Sequence, residues 1–280
     1  MSGFSRIAIV ALFAVAGSAT SAGAQGFNWN GFYVGVNAGY GWGEADTAIS
    51  ATSTERVRVF RAFGLPAETL ITDVTNPAVT ESVSRSVDMN GWLGGAQLGY
   101  IWRSGQIVYG LEADIQASGQ DGRFSVCSTA ACAIDDSFAN GRFELNWFGT
   151  LRARVGILLQ PQLLLYATGG FAYGGFDAKY TAGVVGDFSI SRSDSSTATG
   201  WVVGGGVETA LDRNWLLRAE YLYMDLGGVA RVTGGGASQD IAPDTPMQGF
   251  TTVTDLVGNA TIRTDFTSHI LRLGLSYKFN

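Results

Sequence analysis

The sequence predicts an all-β fold, an eight-stranded antiparallel transmembrane β-barrel with four long extracellular loops and three short periplasmic turns. Three observations predict it. The chain opens on an export signal, and eight later segments alternate in residue type with period two. The links between those segments run long, short, long, short, long, short, long.

The export signal comes first. Arg6 supplies a positive n-region, Ile7 to Ala16 an uninterrupted apolar h-region, and Ala22-Gly23-Ala24 a small-residue cleavage site. Residues 1–24 are therefore expected to be a signal peptide and residues 25–280 the mature barrel, starting at Gln25. The apolar run is too short to span a bilayer as a helix, and glycine or charge interrupts every later stretch, so no transmembrane helix is expected. Cleavage moves the formal charge from −6 to −7, since 17 basic residues then face 24 acids. That balance excludes nucleic acid, whose binding needs clustered Lys and Arg. With 39 glycines, 12% aromatics and only 15% charged residues, the composition suits strands that face lipid.

The alternating segments lie near 31–42, 91–103, 107–118, 144–158, 163–175, 200–210, 215–225 and 266–279. Their length is that of strands crossing a bilayer at a tilt. Ser104-Gly105-Gln106, Leu159-Gln160-Pro161-Gln162 and Leu211-Asp212-Arg213-Asn214 read as tight turns. The links 43–90, 119–143, 176–199 and 226–265 are long and rich in Ser, Thr, Gly and Asp. In an even-stranded barrel this order puts the tight turns and both termini on one side, the periplasmic side of an outer-membrane barrel. Within the first long link, Arg56-Val57-Arg58-Val59-Phe60 also alternates and would allow a count of ten.

Alternation assigns the two faces. In the last segment Leu271, Leu273, Leu275, Tyr277 and Phe279 oppose Arg272, Gly274, Ser276 and Lys278. In the seventh, Trp215, Leu217, Ala219, Tyr221 and Tyr223 oppose Arg218 and Glu220. In the fourth, Trp147, Leu151, Ala153, Val155 and Ile157 oppose Asn146, Thr150, Arg152 and Arg154. In the third, Ile107, Tyr109, Leu111, Ala113 and Ile115 oppose Glu112, Asp114 and Gln116. Charge keeps to one parity. Apolar side chains on successive strands would overfill so narrow an interior, so they are assigned to lipid and the charges to the lumen. The inward list sets Glu112, Asp114, Glu208 and Glu220 against Arg152, Arg154, Arg218 and Arg272, a mutually neutralised lumen. Trp42, Trp92, Trp102, Tyr100, Trp201, Trp215, Tyr223, Tyr277 and Phe279 are candidates for the interfacial aromatic girdle. Gly35, Gly39, Gly91, Gly95 and Gly99 fall at inward positions, where they leave space for long arginines. Gly204-Gly205-Gly206 lacks the spacing and context of a nucleotide fingerprint.

Cys127 and Cys132 sit in a polar stretch of an exported chain, where oxidising conditions favour a disulfide between them. A metal site would need further ligands, and the only His, His269, is distant in sequence.

The sequence resembles the small outer-membrane β-barrel, or porin-family, proteins of alphaproteobacteria, which share their architecture with the OmpA and OmpX transmembrane barrels. The residues that carry the resemblance are Trp29-Asn30-Gly31-Phe32-Tyr33-Val34-Gly35 with Gly39-Tyr40-Gly41-Trp42, the stretch Gly94-Gly95-Ala96-Gln97-Leu98-Gly99-Tyr100, and the closing Arg272-Leu273-Gly274-Leu275-Ser276-Tyr277-Lys278-Phe279. The resemblance implies an eight-stranded barrel, surface-exposed loops, and assembly by the outer-membrane insertion machinery through an aromatic-ended last strand. Asn280 follows Phe279, whereas such chains usually end on the aromatic. No peptidoglycan-binding domain of the OmpA type is expected.

Three functions are weighed. The first is a structural and surface protein with a side-chain-filled lumen, supporting envelope integrity and displaying its loops. The second is a small-solute porin, although diffusion pores use about 16 strands. The third is an outer-membrane lipid-modifying enzyme. Ser268 and His269 are adjacent and would point to opposite faces of a strand, so no catalytic residue is named. The expected partners are outer-membrane lipids and the insertion machinery. No cofactor is expected, and loop ligand and oligomeric state stay open.

Overall fold

All eight alternating segments are strands in the computed structural model, which describes residues 27–61, 69–127, 137–184, 188–243 and 250–279. The signal-peptide segment lies outside the described residues, as does Cys132, so the expected disulfide does too. In chain order the strands are β1 (Gly31–Arg61), β2 (Thr69–Thr75), β3 (Val79–Ser104), β4 (Ile107–Cys127), β5 (Ser137–Gln160), β6 (Leu163–Val184), β7 (Phe188–Ala210), β8 (Trp215–Pro243) and β9 (Phe250–Lys278). Neighbours pair antiparallel in sequence order, and β1 also pairs with β9, which closes the ring.

Nine strands make an eight-stranded barrel because β2 is the outer continuation of β3. Thr75 pairs with Arg56 and Val79 with Ser53 on the same side of β1. The line is interrupted at Asn76-Pro77-Ala78, where Pro77 has no N–H to donate to a ladder. The alternating Arg56–Phe60 stretch is thus part of β1, and it does not widen the barrel.

The strands run well past the expected ends. β1 has 31 residues, and β8 and β9 have 29 each, so much of the four long links is hairpin rather than irregular loop. The reason is physical. Lipid on one side enforces the apolar alternation, and beyond the bilayer both faces of a wall meet other surroundings while the backbone ladder continues. The β-branched Thr and Val still favour strand there.

Beyond the spanning region the wall divides. β3 pairs with β4 only as far as Asn90 with Asp121, and β7 with β8 only as far as Trp201 with Asp225. Two curved sheets result, β8-β9-β1-β3 with β2 on one side and β4-β5-β6-β7 on the other. Phe143, Phe148, Phe176, Phe266, Met89 and Met224 are buried between them in one apolar cluster. Across the β7–β8 gap the Ser196 hydroxyl donates to the Val229 carbonyl.

One facing assignment is corrected. Strict alternation puts Asn146 on the lumen face with Arg152 and Arg154, yet it is exposed and donates to Asp177 at 2.5 Å. A register shift between Leu145 and Trp147 inserts an extra residue, which reverses parity above it. Phe143 and Leu145 therefore point inward at odd positions, whereas Arg152 and Arg154 do so at even ones.

Candidate functional site in the barrel lumen

The lumen is built by side chains of one parity from every strand. On β4 Glu112 and Asp114 turn inward, on β5 Thr150, Arg152 and Arg154, on β7 Glu208, on β8 Arg218 and Glu220, and on β9 Arg272. Register brings them level. Glu112 is paired with Arg152, Glu208 with Arg218 and Glu220 with Arg272. The neutralised lumen read from parity is therefore one continuous network.

Glu112 is its centre. It forms ion pairs with Arg152 and, at 2.5 Å, Arg218, and lies 3.7 Å from both Arg154 and Arg272. Arg152 also reaches Asp114 at 2.9 Å and Glu220 at 3.1 Å. Arg272 holds Asp114 at 3.0 Å and Glu220 at 2.6 Å, while Arg154 and Arg218 both hold Glu208, at 3.2 and 2.8 Å. All eight side chains are at most 2% exposed. Such burial costs several kcal/mol per ion unless pairing and hydrogen bonding compensate, so the acids and bases must be satisfied together or not at all.

Two members of the network, Tyr33 and Tyr166, are missing from the inward lists read from the sequence, and Thr150 joins them from the lumen parity of β5. The Tyr33 hydroxyl donates to Glu112 and accepts from Arg154 at 3.3 Å, and the Tyr166 hydroxyl donates to Glu220 at 2.8 Å. The Arg154 guanidinium lies 4.3 Å from the centre of the Tyr166 ring, a cation–π contact. Thr150 donates to Asp114 at 2.9 Å and accepts from Arg152 Nε at 3.0 Å. The available signal was parity, since Tyr33 shares its face with Gly35 and Gly39. Those small residues do make room: a Cβ on Gly99 would lie 2.5 Å from the Tyr33 hydroxyl, and one on Gly39 would lie 2.7 Å from Arg272 Cβ.

Apolar layers cap the network at both ends, which the inward list of polar residues did not anticipate. At the short-turn end Trp29, Tyr33, Ile101, Val108, Leu164 and Leu216 form a buried cluster with Phe27. Trp29 lies before β1, is fully buried, and donates from its indole to the Pro161 carbonyl at 3.0 Å. At the other end the cluster between the two sheets closes the lumen.

The outer wall is the inverse of the lumen. Leu273 is 62% exposed, Val36 63% and Trp92 76%, alongside exposed Leu111, Leu151, Val155 and Leu271. So much contiguous apolar surface has no place in water and belongs against lipid. The expected girdle residues Trp42, Trp92, Trp102, Tyr100, Trp201, Trp215, Tyr277 and Phe279 are all exposed on this wall, and Tyr223 is half-buried there. They fall into two belts. On β8, Trp215 and Tyr223 are eight residues apart, roughly 20 Å along the barrel axis for strands tilted by about 40°. Trp147 and Tyr173, packed edge to face at 5.9 Å, join the upper belt. Ser268 and His269 do point to opposite faces: Ser268 is buried and accepts from Gln120 at 2.9 Å, while His269 stacks on Trp42 at 5.9 Å. Among the described residues no group of three or more His, Cys, Asp or Glu could hold a metal ion.

A lumen of buried charge inside an apolar, aromatic-belted wall is an inside-out protein, and the comparisons agree with it. The model of the outer membrane protein beta-barrel domain family matches residues 8–279. The chain belongs to that family. This family membership places it in the outer membrane. Among its relatives is the 31 kDa outer-membrane immunogenic protein of Brucella melitensis, 30% identical over 263 residues that cover 93% of this chain and 88% of that protein. The 22 kDa outer membrane protein of Rhizobium leguminosarum is 36% identical over 138 residues, 48% of this chain and 53% of that protein. Among solved structures, the outer membrane protein OprG from Pseudomonas aeruginosa matches over 91% of this chain and 98% of that one, at 12% identity and a TM-score of 0.42.

Proposed function

We propose that this outer-membrane barrel is a closed structural and surface protein rather than a pore or an enzyme. It spans the membrane on a side-chain-filled lumen, supports the envelope, and holds its long hairpins outside the cell. The observation that carries the reading is the lumen network of four acids and four arginines, buried to 2% exposure or less and capped by apolar layers at both ends. An ion entering this lumen would have to displace a guanidinium or carboxylate from partners that offset its desolvation, with no water to replace them in the apolar layers. The display role is supported by strands that continue far beyond the upper aromatic belt. Relatives described as immunogenic outer-membrane proteins are consistent with surface display.

Planar-bilayer recording of refolded protein tests the reading. The expected result is no steady conductance for the unmodified protein. A reproducible open channel of constant conductance would replace the closed-barrel reading with that of a small-solute porin.

A further inference from the structure

Neighbouring strands of the ring follow one another in the chain and are joined by it, except β1 and β9, the first and the last. Their seam is held by the ladder alone, from Tyr33 with Lys278 onward, and the Phe279 N–H donates to the Phe32 carbonyl at 2.8 Å as its end rung. Such an end frays more readily than one closed by a turn, because no short loop keeps the two chains together once the rung opens.

The residues before β1 sit at this weak point. Phe27 and Trp29 are buried in the short-turn mouth. The Lys278 ammonium donates to the Asn30 carbonyl at 3.0 Å and to the Phe279 carbonyl at 3.3 Å, so that one group ties the two sides of the seam, and it lies 5.6 Å from the centre of the Phe27 ring. On the β3 side the Asn30 side-chain oxygen accepts from the Arg103 N–H at 2.8 Å. Across the mouth the Trp29 indole reaches Pro161, in the turn between β5 and β6. In the ring order that turn stands opposite the seam, half the ring away by either path. Gly31 makes the bend from this segment into β1: its φ of +141° favours glycine, and a Cβ there would lie 2.7 Å from the Phe279 carbonyl oxygen.

We propose that residues 27–31 are a strap that stands in for the missing turn, locking the β1–β9 seam and undocking before the ring can open. Its partners belong to β3, to the β5–β6 turn and to β9, which surround one mouth only in the closed barrel. The strap therefore docks after closure and stabilises the finished ring against opening, without being needed to form it. Trp29 and Lys278 hold the same segment from opposite sides of the mouth, so the loss of either contact loosens it. The strap goes beyond the closed-lumen reading and holds whether or not the lumen conducts.

Backbone hydrogen exchange of the refolded protein, read by NMR, tests it in Lys278→Met and Trp29→Phe. The reporter is the Phe279 N–H at the seam. The control is the Leu158 N–H, which donates to the Gln106 carbonyl at 2.9 Å where β4 and β5 meet at the same end. Each variant is expected to speed exchange at Phe279 by roughly fivefold or more and to leave Leu158 within about twofold. The compact electrophoretic form should also be lost faster on heating in SDS, while its rate of appearance during refolding stays within about twofold, as for contacts made after the transition state. No change at Phe279 overturns the strap. Equal acceleration at Leu158, or refolding slowed as much as unfolding is speeded, also overturns it and makes these contacts general packing. If Lys278→Met fails to fold, Trp29→Phe, which keeps a ring and gives up the indole donor on the far side of the mouth, decides by the same outcomes.

Discussion

Glu112 faces all four lumen arginines, so deleting it or its register partner Arg152 leaves several buried groups without compensation. Breaking a buried pair from one side costs about 3–5 kcal/mol. We expect Arg152→Ala and Glu112→Ala each to lower the urea midpoint of the refolded barrel, and the double variant to recover part of the loss. Additive effects of the two substitutions, measured by tryptophan fluorescence in a double-mutant cycle, would mean that the pair is not coupled. A second residue-scale expectation concerns the last tight turn, where Asp212 accepts from the backbone N–H groups of Asn214 and Trp215, both at 2.8 Å. The N–H of Asn214 and then that of Trp215 hold its carboxyl below the usual range. A carboxyl depressed in the folded state stabilises the turn above its unfolded value, and that contribution is lost as pH falls through the folded one. The Asn214 and Trp215 amide resonances should therefore titrate with a midpoint below that of an ordinary aspartate, and Asp212→Asn should abolish the transition.

At the scale of elements, each strand has a spanning part paired on both sides and, for several, an outer part paired on one side only. β7 shows the contrast within a single strand: Trp201–Thr209 pairs with both β6 and β8, whereas Phe188–Gly200 pairs with β6 alone. Amides on the open edge have no ladder acceptor, so hydrogen exchange should be fast for part of 188–199 and slow throughout 201–210. Uniform protection along β7 would mean that the wall does not divide above the membrane. The spanning parts were legible because lipid on one side and charge on the other leave a period-two record, as in Leu271, Leu273 and Leu275 against Arg272 and Ser276. The outer parts were not, because neither face there is selected for lipid. The bulge beside Asn146 was also hidden, since one inserted residue changes parity without changing composition.

At the scale of the molecule, closure of β1 on β9 leaves the spanning region no free edge, so its strands are laddered to a neighbour on each side. A closed ring resists detergent, because opening it exposes a whole ladder at once. Unheated protein should therefore migrate in SDS as a compact species distinct from the boiled one. Identical migration of the two, for protein shown to be membrane-inserted, would contradict the closed barrel.

What the sequence by itself determined is the class of object: the number of crossings, which face of each meets lipid, and which eight charges point inward. Each of these depends only on the alternation of neighbouring side chains and on the lengths of the links, both of which are local. The tertiary structure decided which charges meet, since Glu112 could be matched to Arg152 only once strand register was set by the whole ring. It also decided that Tyr33 and Tyr166 complete the network, that Trp29 and the phenylalanines between the two sheets seal its ends, and that Arg103, Pro161 and Lys278 come to hold one strap. These contacts join residues far apart in the chain, and their geometry follows from shear and closure rather than from any local pattern.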